Sequence, residues 1–263
     1  MEENLKKRLI LVVQILLIVV IALSSYKIYK YYQANRNIKD INVEFEKIVN
    51  ESVDSINNKA NDQYEKGNDS DEINNDKESK DIESKRLIND LKEKYPDVVA
   101  RILISGTEIN QPIVQSNDNQ FYLNHNFKNE YNPFGAVFMD YRNKNDFTDF
   151  NTVLYGHNVK TGHIFYELKK FLDPKFAEEN NTIHLDTING IKEYEIIAAY
   201  VADPYDKYRC PNYNEDELSI FIKYVKSKNK LNTSFPDGDF KILTLSTCSE
   251  GDQRMVVHAI EIK

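Results

Sequence analysis

Cys248 and Arg254 stand six positions apart in Thr244-Leu-Ser-Thr-Cys-Ser-Glu-Gly-Asp-Gln-Arg254, and their types suit covalent acyl chemistry. The alternating run from Phe240 to Leu245 predicts a strand, with Cys248 just past its end. Ser249 to Gln253, with Gly251-Asp252 as turn residues, predicts a loop, and Arg254 to Ile262 predicts a second strand. Paired as a hairpin, the two strands bring Cys248 and Arg254 opposite or nearly opposite each other. Cross-strand partners share a face with Cβ atoms about 4.5–5.5 Å apart. A thiol beside a guanidinium that keeps its charge favours thiolate and suits a developing oxyanion. The same two residues also read as a small buried cysteine beside a surface arginine. The hairpin alone leaves both readings open.

A cysteine nucleophile needs a proton acceptor, and the chain has five histidines. His184 and His258 lie inside strand patterns, where packed and hydrogen-bonded rings are expected. His125 sits in an Asn-rich loop. His163 is expected to begin a helix six residues after His157, but no cysteine or carboxylate cluster supports a metal pair there. His157 differs, because it follows the strand Thr152-Val-Leu-Tyr155 through Gly156 and so projects from a strand end, as Cys248 does. If those two strands lie side by side and parallel, both side chains rise from one rim, the arrangement of nucleophile and imidazole in covalent acyl transfer.

The elements that must position these residues begin near Ile82. Leu87, Ile88, Leu91 and Tyr95 mark a short amphipathic helix ended by Pro96. Strands are expected at Val98–Ile104, Gln111–Gln115, Ala136–Asp140, Thr152–Tyr155, Thr182–Leu185, Tyr194–Val201, Phe240–Leu245 and Met255–Ile262. Ile164, Leu168, Phe171 and Leu172 predict one intervening helix. Leu218, Phe221, Ile222 and Val225 predict another, with Asn214 and Glu217 spaced as a capping box. Some eight strands in roughly 180 residues argue for a mainly β domain, a closed barrel or a sandwich.

Ahead of this domain the composition changes twice. Residues 1–8 carry Lys6, Lys7 and Arg8, and residues 9–26 are apolar apart from Gln14 and the small polar Ser24 and Ser25. As a helix those 18 residues span about 27 Å, near the ~30 Å thickness of a bilayer core. An uncleaved membrane anchor is expected, since Ala22-Leu-Ser24 is a weak cleavage site. Lys27, Lys30 and Arg36 balance the basic cluster before the run, so charge does not set the orientation. Residues 27–81 read as a polar acidic stalk, helical in part and then too polar to build a core. Between positions 41 and 85 there are 13 acidic and 6 basic residues, which accounts for nearly all of the net charge of −8. The remainder is close to neutral and offers no basic patch for nucleic acid.

Leu-Ser-Thr-Cys248 with Arg254, and Tyr-Gly-His-Asn158, closely resemble the sortases, membrane-anchored cysteine transpeptidases of Gram-positive bacteria. Pro112-Ile-Val-Gln115, Asp118-Asn-Gln-Phe-Tyr-Leu123, Phe134-Gly-Ala-Val-Phe-Met-Asp140 and the helix after Asn214 resemble class B. The resemblance covers about 82–263, taken as the catalytic domain. Only five residues separate Cys248 from Arg254, fewer than in some class B members.

The resemblance implies a closed eight-stranded barrel with an N-terminal helix and added helices between strands. It implies that Cys248 forms a thioacyl enzyme at the threonine of a sorting signal on a secreted protein. His157 would move protons, and Arg254 with the Ser249 N–H would hold the oxyanion. Asn119, Leu123, Tyr155 and Ser246 match positions lining the signal groove. The acceptor would be a peptidoglycan amine or a pilin lysine, with the N-terminus cytoplasmic and the domain outside. No metal or organic cofactor is implied. Cys210, in Tyr-Arg-Cys-Pro-Asn, reads as a spare thiol near the groove. The alternatives are a secreted cysteine peptidase that passes the acyl group to water, and a non-catalytic surface-binding domain.

Overall fold

The computed structural model describes residues 2–64, 72–159, 163–233, 235–248 and 253–262, with 53–64, 72–77, 163 and 248 described by backbone alone. Two compact units result, Met1–Val43 and Glu44–Lys263. In the first, the apolar run lies on helix α1 (Glu2–Tyr64) with its side chains exposed, and this helix is long and apolar enough to cross a membrane.

The second unit includes more than the expected catalytic domain. Phe45 and Val49, on a segment expected to be stalk, are buried, and Phe45 meets the Phe127 ring edge-on at 6.0 Å. Glu44 accepts from Lys94, Tyr95 and Lys128 at 2.9–3.1 Å. Helix α2 (Glu72–Lys94) buries Leu87, Ile88 and Leu91 and stops before Pro96, which cannot extend it.

The strands are β1 (Val98–Ile104), β2 (Asn110–Val114), β3 (Val137–Met139), β4 (Asn151–Val159), β5 (His163–Ile164), β6 (Thr182–Thr187), β7 (Gly190–Ala202), β8 (Ile242–Cys248) and β9 (Arg254–Glu261). Their order is β3-β2-β1-β6-β7-β9-β8-β4, and a further β3–β4 pairing closes these eight into a barrel, with β5 appended to β4. Closure leaves the barrel without a free edge. β4 runs parallel to β8, and β2 to β3, while the other pairs are antiparallel.

Several boundaries differ from the sequence expectation. β4 continues through Gly156 to Val159, so His157 lies within a strand rather than beyond its end. Cys248 is the last residue of β8. His163 stands in β5 rather than at a helix start, and the apolar residues after it form a 3₁₀ segment, Tyr166–Leu172. The segment continues into a short helix, α3 (Pro174–Glu179), capped by Asp173.

Helix α4 (Glu215–Lys228) has the expected capping box between Asn214 and Glu217. Its Phe221 and Val225 pack with Tyr200, Tyr208, Ile242 and Val256, so the excursion between β7 and β8 covers part of the barrel's outer face. Phe240 joins this cluster, which is why β8 begins two residues later than its apolar pattern.

Candidate active site

The β4–β8 ladder pairs Tyr155 with Ser246, Gly156 with Thr247 and His157 with Cys248. Neighbouring strands run about 4.8 Å apart, so this register sets the histidine and cysteine main chains side by side. The β8–β9 ladder pairs Thr244 with His258 and Ser246 with Val256. Two more steps outward along each strand bring Cys248 level with Arg254, the first residue of β9. The Arg254 guanidinium is partly buried and reaches back, with Nη1 3.5 Å from the Thr247 carbonyl. Thr247 Oγ1 accepts the Met255 N–H at 2.9 Å, which ties the two strand ends together.

His157 is half-buried, and its Nε2–H donates to the Leu123 carbonyl oxygen at 2.7 Å. Leu123 ends the short 3₁₀ turn Phe121–Leu123, which Asp118 caps by accepting the Gln120 and Phe121 N–H groups. Those two bonds hold the Asp118 carboxyl below its ordinary range. Gly135 allows this turn to lie close: a Cβ there would be 2.4 Å from the Tyr122 oxygen and 2.9 Å from that of Leu123. Gly156 does the same on the other flank, where a Cβ would meet Ile164 and the Phe165 ring at 2.7 Å.

Three of the residues expected to line a groove converge on Asp140, whose carboxylate is fully buried. Tyr155 Oη donates to its Oδ2 at 2.8 Å and Asn119 Nδ2 at 3.1 Å, and Arg142 grips both oxygens at 2.7–2.8 Å. Burial alone would raise the Asp140 pKa, but the bonds from Arg142 and Tyr155 outweigh it and hold the carboxyl below its ordinary value. Burial, followed by the Asp140 charge, pushes the Tyr155 phenol well up, so it remains a donor. Arg142 also donates to the Arg209 carbonyl at 2.7 Å. The sequence reading missed Asp140 and Arg142 as organisers. Their spacing across a tight turn was visible, but the burial that makes the pair matter was not.

Ser246 is buried, and its Oγ is 2.9 Å from Tyr208 Oη. Ser249 lies outside the described residues. His258 is a buried ring hydrogen-bonded to Tyr200 and Thr244, and burial pushes its pKa down to about 3. His184 Nδ1 lies 3.2 Å from the Glu193 carboxylate. His125 stacks on Phe121, with ring centroids 4.1 Å apart. Cys210 is partly exposed, with its Sγ 3.0 Å from the Asn212 carbonyl. No group of three metal-ligating side chains occurs among the described residues.

A closed barrel with a cysteine and a histidine level on parallel strands is the frame of a cysteine transferase, and comparison with known proteins names its kind. The family model described as Sortase domain matches residues 102–262. Sortase B of Listeria monocytogenes is 37% identical over 163 residues, 61% of this chain and 66% of that protein. Sortase B of Staphylococcus aureus is 30% identical over 267 aligned positions, 98% of each chain. The 2.0 Å crystal structure of the Staphylococcus aureus protein matches with a TM-score of 0.65 at 33% identity, over 68% of this chain and 88% of that one. Its substrate complex (32% identity, 68% and 86% covered) and its complex with triglycine (31%, 68% and 86%) both match with TM-scores of 0.64. The chain belongs to the sortase family. Within the family it is a class B sortase, a cysteine transpeptidase.

Proposed function

We propose that Cys248 is the nucleophile and attacks the threonine carbonyl of a five-residue sorting signal near the C-terminus of a secreted protein. The C–N bond breaks, His157 protonates the departing amine, and a thioacyl enzyme remains. An incoming amine then attacks the thioester while His157 takes its proton and Cys248 leaves as thiolate. With Nε2 donating to Leu123, proton transfer falls to Nδ1. Arg254 holds the substrate and the tetrahedral oxyanion, aided by the Ser249 N–H. Asn119, Leu123, Tyr155 and Ser246 line the signal groove.

The observation that carries this reading is the ladder pairing His157 with Cys248 on adjacent parallel strands. The Staphylococcus aureus relative has been solved with a substrate and with triglycine, which supports a peptide donor and an amine acceptor here. The acceptor proposed for this chain is a peptidoglycan amine or a pilin lysine. Both lie outside the membrane, so α1 is the anchor, with residues 1–8 cytoplasmic, 9–26 spanning, and the barrel extracellular. Residues 82–263 carry the catalytic groups, and the reaction needs neither metal nor cofactor.

The test is incubation of the barrel with threonine-containing signal peptides, with and without an added amine. Ligated product, together with a thioacyl adduct on Cys248 seen by mass spectrometry, is expected. Cleavage that yields only hydrolysed peptide whatever amine is supplied would make the protein a peptidase instead.

A further inference from the structure

Four buried polar side chains, on four consecutive strands of the barrel, form one hydrogen-bonded chain that ends on the loop after β7. Asn151 of β4 fixes its direction. Asn151 Nδ2 lies 3.3 Å from the Tyr208 carbonyl and 2.9 Å from that of Cys210, and both are acceptors, so Oδ1 must face Thr244. Thr244 of β8 gives its single O–H to that oxygen at 2.6 Å. Towards His258 of β9 it can therefore only accept, from Nδ1–H at 2.9 Å. A neutral imidazole donating from Nδ1 accepts at Nε2, where the Tyr200 hydroxyl of β7 lies at 2.8 Å. Asn151, Thr244, Tyr200 and His258 are all fully buried.

The chain serves a strap rather than a core. The Asn151 N–H adds a bond to the Pro211 carbonyl at 2.8 Å, so β4 holds the Tyr208–Pro211 stretch by three donors. That stretch meets Ser246 through the Tyr208 hydroxyl, and it accepts from Arg142 at the Arg209 carbonyl. Arg142 holds Asp140, on which Tyr155 and Asn119 converge.

We infer that Asn151 is a positioning residue for substrate binding: through it the buried chain sets the Tyr208–Cys210 strap, which places Ser246, Tyr155 and Asn119. This rests on the reading that those three residues line the groove. A fully satisfied buried network admits one arrangement, because any turned member leaves a donor or acceptor unpaired in a low-dielectric interior.

The test is Asn151→Asp, which keeps the size but turns an oxygen towards two carbonyls. The readout is steady-state cleavage of a fluorogenic threonine-containing signal peptide, selected for cleavage by the wild-type chain. KM should rise about fivefold or more, the scale of a lost buried hydrogen bond, while kcat stays within about twofold. Iodoacetamide labelling of Cys248 should be unchanged. The KM defect should shrink as pH falls, because the new carboxyl regains a hydrogen to donate. An unchanged KM, or parallel losses in KM, kcat and labelling, would overturn the inference in favour of a merely structural role. If the variant does not fold, Tyr208→Phe decides, since it removes only the hydroxyl that meets Ser246: a raised KM supports the inference and an unchanged one ends it. Asn119→Ala separates the two levels. An unchanged KM there removes the groove reading and the inference with it. A raised KM there, with none in Asn151→Asp, removes the inference alone.

Discussion

The Nε2–H of His157 is donated to the main-chain oxygen of Leu123, 2.7 Å away and 34 residues upstream. A backbone acceptor cannot be removed by a side-chain substitution, so the imidazole's orientation depends on what holds the Phe121–Leu123 turn in place. Gly135 is the tightest constraint, with φ of +62° and no room for a Cβ. Gly135→Ala should therefore displace the Leu123 carbonyl and turn His157. A loss of roughly tenfold or more in kcat is expected, because small misplacements of catalytic groups are costly. Stability should fall by about 1 kcal/mol or more, from alanine forced to positive φ. Peptide cleavage and thermal melting measured together check this. Normal turnover in a folded variant would show that the turn does not orient the base.

Cys248→Ala should abolish peptide cleavage, whereas Cys210→Ala should leave most of it. Cys248 is level with His157 in the ladder, and Cys210 sits in the loop after β7. Equal loss in both variants, with the fold intact by circular dichroism, would remove Cys248 from the nucleophile's role.

Arg254→Lys should lower kcat for acylation by at least roughly tenfold, since one oxyanion donor is typically worth about 10²–10³ in rate. Lysine keeps the charge but replaces a planar fork of donors with a mobile point charge. Iodoacetamide labelling of Cys248 across pH should change little. Near-normal cleavage by the lysine variant would show that charge alone suffices.

Chains beginning at residue 44 and at residue 82 should both close the barrel, but the longer one should melt several degrees higher. Phe45 and Val49 are buried in the second unit, and fully burying such side chains contributes about 1.5–3 kcal/mol each. Identical melting temperatures would mean that this helical segment does not stabilise the barrel.

Acid should loosen the same contact through Glu44. Its carboxyl is lowered to about 2, first by the bond from Lys128 and then by those from Lys94 and Tyr95. A carboxyl lowered in the folded state contributes stability that is complete above its ordinary value of 4.5 and is lost as pH falls towards about 2. Glu44 is partly exposed, so solvent screening keeps the effect small. Glu44→Gln should melt below the wild-type chain at pH 6, and the two should converge near pH 3. A constant gap across that range would assign the difference to packing.

Much was legible in the sequence because it depends on local pattern. Alternation and turn residues marked eight strands, the Asn214–Glu217 spacing marked the cap of α4, and the apolar run marked the spanning helix. The motifs around His157, Cys248 and Arg254 marked the family. Only the tertiary structure decided that β4 lies parallel beside β8 in the register that pairs His157 with Cys248. Parallel neighbours distant in sequence leave no local signal, and a slip of one residue would have separated the pair. The fold also decided that the Leu123 carbonyl holds the imidazole, that Asp140 gathers Asn119 and Tyr155, and that Phe45 belongs with the barrel. Each of these joins segments far apart in the chain through burial and hydrogen bonding, which residue spacing does not encode.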